Sequence, residues 1–294
     1  MIGAIVGDIV GSRFELTNAT TFDFALFSSE CHFTDDTVMT LAIASALQRA
    51  LGSVADTSLQ SNTALYTIVA NEAIQAMQHL GQLYPDCGFG ASFRKWLRSP
   101  QPQPYNSCGN GAAMRVSACA YAAATLAEVK ALSTAVTAVT HNHPEGLKGA
   151  EATAVAIFLA RQGYSKEQLR SYLRAHYYPL NFTLEQLRPH YHFDATCQGS
   201  VPQALQAFFE GEDFVDTLRK AVYLGGDSDT IAAIAGSIAE AFYGGVPKEL
   251  RATACGFLDQ RLMRILLDFE AAFPCSRFAA PAPAHPANSD HDSK

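Results

Sequence analysis

The sequence predicts an all-α protein on three observations: Ala-rich apolar segments at helical spacing, almost no alternating strand-like runs, and glycine or proline clusters between the segments. Gly3, Gly7 and Gly11 recur every four residues and line one face of a first helix, where their plain reading is close packing on a neighbouring helix. Asp8 lies among them. A buried acid in an apolar helix needs a partner, and a supporting position behind a metal site is its functional alternative. Helical segments follow at 36–51 and 62–81, then breaks at Tyr84-Pro85-Asp86-Cys87-Gly88 and from Ser99-Pro100 to Pro104. The Ala-rich stretch 110–126 reads as the next helix. Ser133 to Thr140, rich in Val and Thr, has strand propensity, but a lone strand has no partner, so it too reads as helix. After His143-Pro144 come 145–162, 165–176, 202–210, 212–223 and 229–243; Gly244-Gly245-Val246-Pro247 ends that run, and 258–272 closes the series.

No break is long enough to be a domain linker, so the prediction is one compact domain over residues 1–278. Residues 279–294, with Pro281, Pro283 and Pro286 among alanines, read as a disordered tail. A 294-residue chain that is 48% hydrophobic has ample material for a large core. The net charge of −7, without a Lys/Arg stripe, argues against binding nucleic acid. Seven scattered cysteines without a close pair fit a reducing cytoplasm rather than a disulfide framework. The N-terminal stretch is broken by Asp8 and lacks a basic leader, so neither a signal peptide nor a membrane span is expected.

Thr34-Asp35-Asp36-Thr37 and Asp227-Ser228-Asp229-Thr230 are near copies, each running into an apolar helix. One such tetrapeptide is ordinary helix capping, since Thr and Asp accept from free N–H groups and acids suit the positive end of a helix. Two of them change the reading. Each supplies a carboxylate beyond what a cap uses, and four buried carboxylates repel one another unless cations lie between them. An all-oxygen set of this kind suits hard divalent ions, provided the two helix starts meet in space. Gly225-Gly226 allows a tight turn into the second motif and leaves room for a ligand.

Further pieces follow in order: Gly7-Asp8-Ile9-Val10-Gly11-Ser12 with Glu15, Ser107-Cys108-Gly109-Asn110-Gly111-Ala112-Ala113-Met114-Arg115, and Thr140-His141. With the two acidic motifs, this set resembles the ADP-ribosylglycohydrolase family over nearly the whole chain. The resemblance implies an orthogonal helical bundle with a dinuclear metal cleft, in which ADP-ribose is removed from a modified acceptor by cleavage at the anomeric carbon. It implies Thr34, Asp35, Asp36, Asp227, Asp229 and Thr230 as ligands of two Mg²⁺ or Mn²⁺ ions, with Asp36, Asp229 and Glu15 in catalysis. The competing reading for Glu15 is a pair with Arg13 or another surface charge.

By the same resemblance Ser107, Cys108, Gly109, Asn110 and Gly111 hold the diphosphate, at the positive end of a helix starting near Ala112, and His141 stands near the phosphates or distal ribose. An ordinary glycine-rich turn is the plain alternative for that loop. Some relatives carry an aromatic residue at the position of Cys108, so adenine is held differently or more weakly here, with Tyr105 as a candidate substitute. His141, His143 and Glu145 raise a zinc alternative that lacks further ligands at suitable spacing. The expected substrate is an ADP-ribosylated protein or small ADP-ribosyl compound, acted on by a monomer. The alternatives are a non-catalytic ADP-ribose or metal binder, and a phosphohydrolase cleaving the pyrophosphate.

Overall fold

The first helix, α1 (Ile2–Gly11), is buried along its whole length. The computed structural model describes residues 1–52 and 63–274, so the predicted boundary at 278 and the predicted tail 279–294 lie outside the described residues. In chain order the other helices are α2 (Asp35–Gly52), α3 (Thr63–Leu83), α4 (Ala91–Leu97), α5 (Ser117–Ala122), α6 (Leu126–Thr137), α7 (Pro144–Arg161), α8 (Lys166–His176), α9 (Leu184–Leu187), α10 (Cys197–Glu210), α11 (Phe214–Leu224), α12 (Ser228–Tyr243), α13 (Lys248–Cys255) and α14 (Gln260–Ala272). Among the described residues no strand forms, and the one sheet-like feature is an antiparallel bridge between Gly109 and Thr196. The expected all-α class is what the chain adopts.

Helix α12 is the centre of the bundle: α1, α7, α10 and α11 all pack against it. The glycine face of α1 explains the closest of these contacts. A Cβ on Gly3 would collide with the carbonyl of Gly236, and one on Gly7 with the carbonyl of Ala232. A Cβ on Gly11 would lie 2.5 Å from the Cα of Asp229. Small residues thus let two backbones touch, as the packing reading of these glycines requires, and the contact runs directly to the second acidic motif. Helix α2 packs against α1, α3 and α14.

Asp8 finds its partners at the start of α2. Its carboxylate accepts from the Thr34 and Thr37 backbone N–H groups at 2.9 and 3.0 Å and from the Thr34 hydroxyl at 2.7 Å. An acid on one helix therefore caps another, which satisfies N–H groups that helix geometry leaves free. Burial raises its pKa and these donors oppose the rise.

The stretch 110–126 is not one helix. Asn110–Ala112 is a single 3-10 turn, α5 is only six residues, and α6 begins at Leu126. Gly109, Asn110 and Gly111 are poor helix formers, and Thr125 with Glu128 forms a capping box that starts a new helix. The Val- and Thr-rich segment from Ser133 is helical as far as Thr137. Helix α10 begins at Cys197, ahead of the predicted 202, because Thr196 caps it through the Gly199 N–H and Pro202 is tolerated inside it. Helices α4, α9 and α13 were not anticipated.

Candidate metal and active centre

The two acidic motifs meet. The Thr230 hydroxyl, in the first turn of α12, donates to Asp36 Oδ2, in the first turn of α2, at 3.1 Å. Asp36, Asp227, Asp229 and Thr230 are all buried, and Asp35 is half-buried. Both pairs line one cavity of about 380 Å³ together with Glu15, Tyr105, Ser107, Gly109, Asn110, Gly111, Arg115 and His141. Glu15, Asp227 and Asp229 each bring a carboxylate oxygen within 4.8 Å of the others, the one such group of potential metal-holding side chains among the described residues. Asp35 and Asp36 stand outside that triangle, and Asp36 is linked to its side through the hydroxyl of Thr230, whose own N–H donates to Asp229 Oδ1 at 2.9 Å.

Local structure sets each position. Glu15 follows the 3-10 turn Ser12–Phe14 that ends α1, so the α1–α12 contact carries it to Asp229. Arg13 turns away from Glu15, donating to the Ala25 carbonyl and lying 3.7 Å from Glu30, so the Arg13 pairing does not occur. Asp35 is anchored by its N–H, which donates to the Cys87 carbonyl at 2.7 Å. Gly225 and Gly226 have φ of +88° and +73°, the left-handed region that glycine enters at no steric cost. The Gly226 N–H donates to Asn18 Oδ1 at 2.9 Å, which fixes the turn leading to Asp227.

Electrostatics makes this cluster costly as it stands. Burial first, then Asp8, Asp35 and Asp227, pushes the Asp36 carboxyl well above the carboxylate range; burial, Asp36 and Asp227 do the same to Asp229. Asp35 is pushed up to about 7 by burial and Asp8, and Glu15 is raised by burial, Asp227 and Asp8. Asp36 Oδ1 is buried without a hydrogen-bond partner. Five carboxylates line the cavity against a single guanidinium, Arg115. An orphaned buried carboxylate oxygen within an all-oxygen donor set is what a hard divalent cation would satisfy, so the residues fit a metal site.

The other predicted residues divide. Thr34 is absent from the cavity lining, and its hydroxyl donates to Asp8 while accepting from the Asp36 N–H at 3.2 Å. Asn110 binds the site directly: its side-chain amide donates to Asp227 Oδ2 at 2.6 Å and to Ser200 Oγ at 2.8 Å. Ser107, Gly109 and Gly111 line the cavity and Cys108 does not. No α-helix starts near Ala112, where the chain makes only the 3-10 turn Asn110–Ala112 and α5 begins at Ser117, so the expected positive end of an α-helix is missing. Two of the loop's N–H groups are also already used, Gly109 by Ser107 Oγ and Asn110 by the Ala195 carbonyl. His141 lines the cavity, whereas the His143 ring caps α7 by accepting from the Glu145 N–H, and among the described residues His141, His143 and Glu145 form no group with ligand atoms close enough to share a metal ion. Tyr105 lines the cavity with its ring centroid 5.8 Å from that of His141.

Two further residues at the cavity, Arg115 and Phe193, carry no role in the sequence motifs. Arg115 is 1% exposed and lines the cavity, and a signal for it existed: a lone cation inside the apolar run from Ala112 to Val116. Phe193 is 51% exposed at the same cavity and carries no local pattern that marks it.

Comparison with known proteins bears on the family and the fold. The family model described as ADP-ribosylglycohydrolase matches residues 1–274. A mouse protein named ADP-ribosylhydrolase ARH3 is 26% identical over 341 aligned positions, covering 87% of this chain and 86% of its own. The bovine protein of that name is 27% identical, with 83% and 84% covered. A solved structure titled ADP-ribosylglycohydrolase-related protein complex matches with a TM-score of 0.62 at 22% identity, covering 92% of this chain and 95% of its own, which speaks for the fold alone.

Proposed function

The chain belongs to the ADP-ribosylglycohydrolase family, and from that premise we propose that it is a hydrolase that frees ADP-ribose from a modified acceptor by cleaving the glycosidic bond at the anomeric carbon, with two divalent cations, Mg²⁺ or Mn²⁺, held by the paired acidic motifs. The observation that carries this reading is the Thr230 to Asp36 contact, which joins carboxylates from opposite halves of the chain at one cavity.

Asp35, Asp36, Asp227, Asp229 and Thr230 would hold the cations, with Asp8 orienting α2 through its N–H groups and Asn110 orienting Asp227. A bound divalent pair supplies positive charge that orients sugar hydroxyls and makes water a better nucleophile. Glu15 is half-buried, lies beside Asp227 and Asp229, and has a raised pKa, so it is suited to take up a proton from the attacking water. Glycoside cleavage passes through an oxocarbenium-like state, and Glu15, the cavity carboxylate not assigned to the cations, is the negative group placed to act on it. The cavity volume of about 380 Å³ is in the range of small-molecule sites.

The test is incubation of the purified chain with ADP-ribosyl-arginine and ADP-ribosyl-serine peptides, with and without Mg²⁺ or Mn²⁺. Free ADP-ribose released only with metal supports the reading and identifies the acceptor. Release of AMP would instead assign pyrophosphate cleavage, and binding without turnover would assign a binding module.

A further inference from the structure

We infer that Arg115 and Thr140 hold His141 as its Nε2–H tautomer, so that the ring presents a fixed hydrogen-bond donor to the cavity, with Arg115 acting as a positioning residue. This does not rest on the proposed function, because it follows from the bonds around one ring.

The Thr137 carbonyl already accepts from the Thr140 and His141 backbone N–H groups, at 3.1 and 2.9 Å, which uses both its lone pairs. The Thr140 hydroxyl, 3.3 Å from that oxygen, is the weakest claimant there. The same hydroxyl lies 2.7 Å from His141 Nδ1 and accepts from Arg115 Nη2 at 2.6 Å. A guanidinium can only donate, so the hydroxyl's own hydrogen is left for Nδ1. Arg115 Nη2 also stands 3.5 Å from Nδ1, where it would repel an N–H and attracts a lone pair. Nδ1 therefore accepts. The ring's hydrogen is then on Nε2, since burial and the Arg115 charge keep the imidazole's pKa well below its usual value.

Nε2 faces Gly109 and Gly111. A Cβ at those positions would lie 3.5 and 3.3 Å from it, so their missing side chains leave the nitrogen open to the cavity, and it has no hydrogen-bond partner among the described residues. Stability does not explain Arg115. It is buried, its Nε has no partner, and it forms no ion pair among the described residues, its nearest aromatic contact being the Phe93 ring at 5.6 Å. Burial disfavours its charge, and Asp35 across the cavity offsets only part of that cost, so a guanidinium in no direct ion pair is not placed there for stability. Orientation of His141 is a use for it, and the donor it creates suits an acceptor oxygen such as that of a phosphoryl or hydroxyl group.

The experiment is a long-range ¹H–¹⁵N correlation spectrum of the full chain labelled in its histidines, with His141→Gln identifying the His141 signals. The expected pattern has a pyridine-like Nδ1 and a pyrrole-like Nε2; the reverse pattern would overturn the assignment. Arg115→Met should mix the two tautomers, and Arg115→Lys should restore the wild-type pattern. If Arg115→Met does not fold, Thr140→Val removes the hydroxyl and should produce the same mixing. A folded variant that loses Arg115 or the hydroxyl and keeps an unmixed Nε2–H ring would show that these two residues do not position it.

Discussion

At the scale of the residue, the site is a set of carboxylates held against their own repulsion. Asp36 and Asp229 have strongly raised pKa values because burial and neighbouring acids disfavour their charge, so each destabilises the metal-free fold when ionised. Asp36→Asn and Asp229→Asn are expected to raise the Tm of the metal-free protein while lowering turnover by orders of magnitude; differential scanning calorimetry and a product assay check the two halves. The pH dependence follows with a definite sign. An acid whose folded pKa lies above its unfolded value favours the fold at low pH, and that contribution is lost as pH rises through the folded value, near 7 for Asp35. Metal binding needs the ionised form. Affinity for Mg²⁺ or Mn²⁺, measured by calorimetric titration, should therefore tighten between about pH 6 and about pH 8, the interval in which a carboxyl displaced this far gives up its proton. That the four aspartates would line one cavity was legible from the sequence, because a duplicated motif exceeds what capping needs. That Asp8 engages the Thr34 hydroxyl was not, since nothing in a tetrapeptide points to α1.

At the scale of the element, the glycine face of α1 decides where Glu15 and Asp229 lie. Gly7→Ala would push a methyl into the Ala232 carbonyl of α12, and overpacking of this kind costs roughly 1–3 kcal/mol. It is expected to lower Tm by about 5 °C and to weaken turnover as the helices separate, whereas Gly52→Ala at the exposed end of α2, where a Cβ would meet nothing within 4 Å, should leave both unchanged. Thr125→Ala removes half of the α6 capping box and should cost about 1 kcal/mol with turnover preserved, checked by denaturant titration beside the activity assay. That box also explains the failure at 110–126. Alanine content argued for one helix, while Thr125 and Glu128, three apart ahead of an apolar run, marked a new start. The short α4, α9 and α13 were hidden for a different reason: four to eight residues give too little periodicity to stand out from their flanks.

At the scale of the whole molecule, motifs at opposite ends of the sequence become neighbours because α12 is buried against α1, and the start of α2 is held by Asp8 of the same α1. One helix thus sets both halves of the site. The all-α class was visible in local spacing, and the convergence could be inferred only from chemistry, since nothing in linear order brings residue 36 to residue 230. Among the described residues no helix is long and apolar enough to cross a membrane, and the six described cysteines are free thiols. The most direct measurement of the shared site is an anomalous difference map from a crystal of this chain soaked in Mn²⁺. Peaks within coordination reach of both Asp36 and Asp229 are the expected result; peaks confined to one helix start, or none in the cavity, would contradict a cation site built jointly by α2 and α12.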